Sequence, residues 1–298
     1  MKNPLVTVGV PIFNAEEFIE DRITSFINQT YENLEIIISD NASTDKIQEI
    51  CELFRKKDSR IKYVRQEKNM GATWNFSHVL EIANGKYFTW AAADDLILPE
   101  FFERIIPILE NNNNVSCCCS KIKLFGPQSE YIKIKETDSK FKKIKKRIYK
   151  RYGYMNTFSD EGQFKKKIRE YFKNARHNQM FYGVYRTEQI KKSWIKNPFI
   201  WNDSATLINI LEYGDLFVVE RELMKVYDSG VSRTGWNRVT NQMEHGRFDK
   251  MFLYYPYTSW CFKKLEFKIF VSNFDFFLKI NVIGLISVLI SIIFSRGK

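Results

Sequence analysis

Cysteine is scarce: Cys51, Cys117, Cys118, Cys119 and Cys261 are an odd set without pairing or metal-ligand spacing, which excludes a disulfide scaffold and a zinc ribbon. Reduced thiols in a cytosolic compartment account for them, and Cys117, Cys118 and Cys119 read as small buried hydrophobes within a strand predicted over 115–125. Histidine is scarcer still. His78, His177 and His245 lie too far apart in the chain to suggest a triad or a zinc set. The segment that follows the first apolar run, Pro11-Ile12-Phe13-Asn14-Ala15-Glu16, has no glycine and carries an acid, which counts against the phosphate loop of a nucleotidyltransferase. No uncharged run is long: 280–295 spans about 24 Å as a helix, short of the roughly 30 Å hydrocarbon core, so an in-plane or re-entrant anchor is favoured over a full crossing. Met1-Lys2-Asn3-Pro4 leads straight into the first strand, and no signal peptide is expected.

Apolar residues, by contrast, are plentiful. With 44% hydrophobic and 15% aromatic residues in 298, the chain can bury a sizeable core. Leu5-Val6-Thr7-Val8-Gly9-Val10 reads as a strand, and Phe18, Ile19, Ile23, Phe26 and Ile27 recur at helical spacing. Leu34-Glu35-Ile36-Ile37-Ile38-Ser39 is a second strand, followed by a helix over 45–57, a third strand over 61–65, a helix reaching about residue 83 and a fourth strand opened by Gly85. Strand and helix alternate with short connections, the pattern of a doubly wound parallel sheet with its binding loops on one edge.

The fourth strand is the most informative. Tyr87-Phe88-Thr89-Trp90-Ala91-Ala92-Ala93 runs into Asp94-Asp95, and Pro99 and Glu100 then open a helix. Two adjacent carboxylates at the edge of an open α/β sheet suit a hard divalent cation that also holds a diphosphate. Read more simply, they are loop aspartates that cap a helix.

Val8-Gly9-Val10-Pro11-Ile12-Phe13-Asn14, Ser39-Asp40-Asn41-Ala42-Ser43-Thr44-Asp45, Asn69-Met70-Gly71 and Asp94-Asp95 follow one another in the order and spacing of family 2 glycosyltransferases, which this chain resembles over roughly its first 110 residues. Phe181-Tyr182-Gly183-Val184-Tyr185-Arg186, Trp201-Asn202-Asp203 and Leu223-Met224-Lys225-Val226-Tyr227 resemble the family more loosely. The resemblance implies an α/β fold of GT-A type: a Rossmann-like, doubly wound, mostly parallel sheet with an acceptor-side region and, here, a C-terminal helical appendage. It implies inverting transfer of a sugar from a nucleotide-diphosphate donor to a hydroxyl of a glycan or lipid-linked saccharide. On that reading Pro11 and Phe13 line the base, Asp40 accepts from its N–H groups, and Asn69 and Gly71 border the donor. An acceptor-only carboxylate suits the imide of uracil, hence a UDP-sugar. Asp94, with Asp95 as helper, holds Mn²⁺ or Mg²⁺. Tyr182, Gly183 and Trp201 face the acceptor, and Asp203 is the base that takes the acceptor proton.

The chain departs from the family at Ala92, where the usual Asp-x-Asp begins, so one carboxylate is missing and metal affinity and preference are in question. Each assignment also has a plainer structural reading: Phe13 as a core aromatic, Asp40 as a turn residue, and Asp203 as a helix cap. A noncatalytic nucleotide-sugar-binding module and, less well supported, a nucleotidyltransferase stay open beside the enzyme.

The net charge of +11 is concentrated, with ten Lys or Arg against Glu136 and Asp138 over 133–151. That run reads as an insertion, either solvated or facing anionic lipid or a phosphorylated acceptor. It lacks the aromatic platform of a single-strand binder, and no nucleic-acid partner is expected. The expected organisation is a catalytic domain over 1–230, comprising a nucleotide-sugar half over 1–110, a basic insertion over 126–175 and an acceptor half over 176–230. A C-terminal extension over 231–298 would associate with the cytoplasmic face of a membrane, pack on the catalytic domain, or form a homodimer.

Overall fold

The computed structural model describes residues 3–127, 135–144, 146, 159–174, 179–196, 199–228 and 252–295. Much of the basic run and the stretch 229–251 lie outside the described residues. The alternation expected over the first half is present: β1 (Val6–Ile12), α1 (Glu16–Ile27), β2 (Leu34–Asp40), α2 (Ile47–Lys57), β3 (Ile61–Arg65), α3 (Ala72–Glu81), β4 (Tyr87–Trp90), β5 (Leu96–Ile97), α4 (Phe101–Asn111) and β6 (Val115–Phe125). β1 and β2 are buried along nearly their whole length, which is why they read as continuous apolar runs and not as alternating ones.

The second half supplies α5 (Phe164–Asn174), a 3-10 turn (Gln179–Tyr182), β7 (Val184–Arg186), α6 (Thr187–Ser193), α7 (Asn202–Ile210) and β8 (Asp215–Tyr227). Eight strands form one sheet in the order β3-β2-β1-β4-β7-β6-β8-β5. β1 is parallel to both β2 and β4, β6 is parallel to β8, and β7 and β5 run antiparallel to their neighbours. The sheet is therefore mostly parallel. The strand expected over 87–93 stops at Trp90, and a two-residue strand follows the aspartates because Leu96 and Ile97 pair with Lys225 and Met224. No pattern within two residues could announce that pairing.

Strand order reverses between β1 and β4, since β1 leads outward to β2 and β3 while β4 neighbours β7. Such a switch point opens a crevice at the carboxyl ends of the strands. The loops after β1, β2, β3 and β4 all leave the sheet at that edge. The floor beneath is aromatic: Trp90 stacks on Phe181 with centroids 4.6 Å apart, meets Phe88 edge-on at 4.9 Å, and donates its Nε1–H to the carbonyl of Phe76.

The described part of the C-terminal extension forms α8 (Tyr255–Lys264), α9 (Phe267–Val271) and α10 (Phe274–Ser295). It packs on the acceptor half. Ser204 Oγ accepts from Tyr171 at 3.0 Å and shares a hydrogen bond with Tyr257 at 2.8 Å, while Phe172 stacks on Phe276 at 4.5 Å. The other side of α10 leaves Leu278, Val282, Ile286 and Leu289 between 44% and 56% exposed. Among the described residues, no helix is long and apolar enough to cross a membrane.

At the opposite edge of the sheet, Glu35 ties β2 to its neighbours. It accepts hydrogen bonds from Thr7 Oγ1 (2.6 Å), Asn84 N (3.0 Å), Asn84 Nδ2 (2.8 Å) and Lys62 Nζ (2.6 Å). Burial alone would raise its pKa, but the donors from Lys62, Thr7 and Asn84 outweigh it and pull the carboxyl down to about 2. A depressed carboxyl stabilises the fold in full above its unfolded value and loses that contribution as pH falls through the folded one. Glu35→Gln should therefore cost about 2 kcal/mol near neutral pH, and the deficit should shrink between pH 4.5 and about 2. Urea denaturation of both proteins across that range measures it.

Candidate donor and acceptor site

The loops after β1 and β2 are fastened together by exchanged side-chain and backbone bonds. Asn14 Oδ1 accepts from Thr44 N at 2.8 Å, Ser43 Oγ accepts from Asn14 N at 3.0 Å, Asp45 Oδ2 accepts from Glu16 N at 3.0 Å, and Glu16 Oε2 accepts from Lys46 N at 2.9 Å. Phe13 stands 46% exposed on this lip, which rules out the core-aromatic reading, while Pro11 is partly buried opposite Ser39.

Asp40 lies lower than the sequence suggested. It is 0% exposed, and both oxygens are engaged: Oδ1 with Ser43 N at 2.8 Å, Oδ2 with Tyr63 Oη at 2.7 Å and Arg65 Nη1 at 2.5 Å. Burial opposes its ionisation, yet the hydrogen bonds from Ser43, Tyr63 and Arg65 prevail and hold the carboxyl below its ordinary range. In this structure Asp40 orders the loop and orients Arg65, whose guanidinium is one-third exposed and also donates to Ser43 O at 2.8 Å. Sequence reasoning passed over Arg65 and Tyr63, since a charged or aromatic residue at a strand end carries no signal by itself.

Asn41 was also passed over. Its Nδ2 donates to Asn69 Oδ1 (2.8 Å) and Gly71 O (3.2 Å), and its Oδ1 accepts from Met70 N (2.8 Å). Asn69 Oδ1 also accepts from Gly71 N at 2.8 Å, and Gly71 has φ +87°, a conformation only glycine adopts freely. Asn69 and Gly71 thus shape the loop entering α3, and Asn41 joins it to the loop after β2. Two asparagines placed just beyond adjacent parallel strands were the available signal.

At the end of β4, Asp94 is half-buried and makes no hydrogen bond or ion pair with another described residue; burial pushes its pKa up, against a smaller opposing pull from Arg22. Asp95 is 5% exposed and accepts the backbone N–H of Tyr227 at 3.0 Å, so it also anchors the end of β8. Among the described residues, no group of three or more His, Cys, Asp or Glu is placed to hold a metal ion. The donors that are present fit a cation completed from elsewhere: a partnerless hard carboxylate at Asp94 with a second beside it, the remaining shell coming from phosphate and water.

The acceptor half meets this loop at Tyr182. Its phenol is held protonated first by burial and then by the fields of Asp95, Asp94 and Asp203, and its ring lines a small pocket together with Asp95. Asp203 lies in the first turn of α7, where its Oδ1 accepts the N–H of Ser204 at 2.8 Å. Trp201 precedes it with φ +72° and packs on Tyr254 (4.7 Å) and Tyr257 (5.5 Å) of the C-terminal helices. Gly183, expected at the acceptor surface, is a packing position instead: a Cβ there would meet Cys117 Sγ at 2.6 Å and Met180 O at 3.0 Å.

A sequence profile described as glycosyl transferase family 2 matches residues 7–194, more than half of the chain. The chain belongs to that family. It is 40% identical over 121 residues to an uncharacterized glycosyltransferase of Haemophilus influenzae, covering 41% of this chain and 38% of that one. The matches span between 14% and 53% of the length of the curated relatives. In solved structures, S. aureus TarS in complex with UDP-GlcNAc superimposes with a TM-score of 0.57 at 16% identity, over 87% of this chain and 73% of that one. The mannosyltransferase PcManGT of Pyrobaculum calidifontis, in complex with GDP-Man and Mn²⁺, gives 0.61 at 13% identity, over 100% and 76%. At those identities the likeness is one of fold, and the fold is GT-A, as the family 2 resemblance implied.

Asn41→Ala removes the joint between two donor loops without touching the sheet. Nucleotide affinity should fall about tenfold, the scale of one or two lost hydrogen bonds, with the far-ultraviolet circular dichroism spectrum unchanged. Calorimetric titration with UDP measures it.

Proposed function

We propose that the protein is an inverting glycosyltransferase that moves a sugar from a nucleotide-diphosphate donor, UDP-linked in our reading, to a hydroxyl of a glycan or lipid-linked saccharide. The observation that supports this is the position of Asp94 and Asp95 just after β4 at the switch-point edge, with Asp95 and Tyr182 lining one small pocket. The two adjacent carboxylates suit a cation that holds a leaving diphosphate, and Asp203, in the first turn of α7, suits a proton acceptor. Phe13, beside Pro11, offers its exposed ring to the base, and the loop ordered by Asp40, Asn69 and Gly71 forms the wall of the nucleotide pocket. Asp203 takes the proton of the acceptor hydroxyl as the new glycosidic bond forms, and the carboxylate keeps that proton while the nucleotide diphosphate departs on the opposite face. Asp94, with Asp95 beside it, would hold Mn²⁺ or Mg²⁺, which when bound supplies neutralising charge to the diphosphate. TarS with UDP-GlcNAc supports a uridine donor; PcManGT with GDP-Man keeps guanosine as the competing base.

Asp203→Asn should retain UDP affinity and lose transfer by about 10² or more. Asp94→Asn, at a residue that makes no hydrogen bond or ion pair with another described side chain and retains Asp95 beside it to face Arg22, should keep the fold and lose metal-dependent UDP binding. Parallel titrations with UDP and GDP, each with and without Mn²⁺, and hydrolysis of a panel of nucleotide sugars check both. A preference for GDP would overturn the uridine assignment. Intact UDP binding with no turnover of any donor would leave the noncatalytic binding module as the better account.

We read the acceptor as lying at a membrane face, a reading supported by the exposed row Leu278, Val282, Ile286 and Leu289, with Lys268 and Lys279 close by in the chain, on helices whose other side packs near Trp201. An apolar row with basic neighbours suits the headgroup boundary of anionic lipid. Leu278→Glu with Ile286→Glu should abolish co-sedimentation with anionic vesicles at low salt and spare donor hydrolysis. Full-length protein that stays in the supernatant would refute the membrane reading.

A further inference from the structure

Arg22, in α1, is a charged side chain with no role in the reading above. It is 3% exposed, its guanidinium lies 4.4 Å over the ring of Phe26, and its Nε and Nη1 have no hydrogen-bond partner. It shares a small pocket with Thr89, Tyr182 and Asp95, the chain neighbour of Asp94. A guanidinium remains protonated in proteins, and burying it without hydrogen bonds is strongly unfavourable unless anions compensate. The compensating anions here are Asp95 and then Asp94, whose fields offset part of the penalty that burial places on Arg22. α1 therefore brings a fixed positive charge to the back of a loop that already lacks the carboxylate expected at Ala92.

We infer that Arg22 is a positioning residue, a built-in counter-cation that holds Asp94 and Asp95 together and weakens their hold on a divalent cation until a nucleotide diphosphate arrives. This rests on the reading of the Asp94-Asp95 loop as the diphosphate and metal site. With Arg22 in place, the two carboxylates retain only part of their negative field, and Mn²⁺ alone is bound poorly. The anionic diphosphate restores that field, so cation and nucleotide enter together. Coupling of this kind is reciprocal: the factor by which the diphosphate tightens Mn²⁺ is the factor by which Mn²⁺ tightens the diphosphate.

The test is titration of Mn²⁺ by electron paramagnetic resonance, with and without UDP, on the wild type, Arg22→Met and Arg22→Lys. Removing one unit charge at this range should tighten binding of Mn²⁺ alone about tenfold in Arg22→Met and shrink the gain that UDP confers, with Arg22→Lys close to the wild type. Folded Arg22→Met with wild-type Mn²⁺ affinity overturns the inference. A wild type that binds no Mn²⁺ even with UDP overturns the metal-site reading, and this inference with it. Should Arg22→Met not fold, thermal denaturation of Asp95→Asn in chelator decides. Asparagine keeps an oxygen for Tyr227 N–H but strips Arg22 of its stronger counter-charge, and the melting temperature should fall by about 5 °C or more. Unchanged melting overturns the inference.

Discussion

β4 is the constraint on which the site depends. It is hydrogen-bonded in parallel to β1 on one side and antiparallel to β7 on the other, so it is the seam between the strands of the first half and those that follow. Four residues suffice because Trp90, almost fully buried, is clamped by Phe181 from the acceptor side and bonded to α3 through Phe76 O. A loop leaving so short and so fixed a strand has little freedom. Asp95 is accordingly delivered to the pocket that Tyr182 lines, and Tyr182 itself follows Phe181 in the chain.

Around that seam the protein tolerates local strain. Among the described residues, three that are not glycine adopt positive φ: Asn14 (+47°), Ala42 (+61°) and Trp201 (+72°). Each costs about 1–2 kcal/mol relative to a relaxed backbone. All three sit on segments that form the site: the loops after β1 and β2, and the entry to the helix bearing Asp203. The compensation is visible for the first two, where Asn14 and its neighbours are held by four side-chain-to-backbone bonds and the loop around Ala42 by Asp40 and Ser43. At Trp201 it comes from aromatic packing against Tyr254, Tyr257 and Phe276.

That packing gives the C-terminal helices a part in the geometry of the acceptor half. Ser204, next to Asp203, is hydrogen-bonded to Tyr257 of α8, and Trp201 lies against both α8 and α10. The apolar content of 274–289 is thus divided, with one side completing the core around α7 and the other left open to solvent.

The sequence by itself determined the alternation of the first half, because strands buried on both faces and amphipathic helices leave opposite periodicities that survive without knowledge of neighbours. It also put the candidate carboxylates at the ends of elements, since Asp94-Asp95 and Asp203 each sit at a junction that local pattern can place. Only the tertiary structure decided what those residues touch. That Asp40 is sealed beneath its loop by Tyr63 and Arg65, that Gly183 serves the packing of Cys117, and that Leu96 and Ile97 form a strand all depend on partners 20 to 130 residues away. Arg22 is the clearest case. Nothing in its local sequence marks it, and it becomes a buried cation in one pocket with Asp95 only because α1 packs beside β5 and the end of β4.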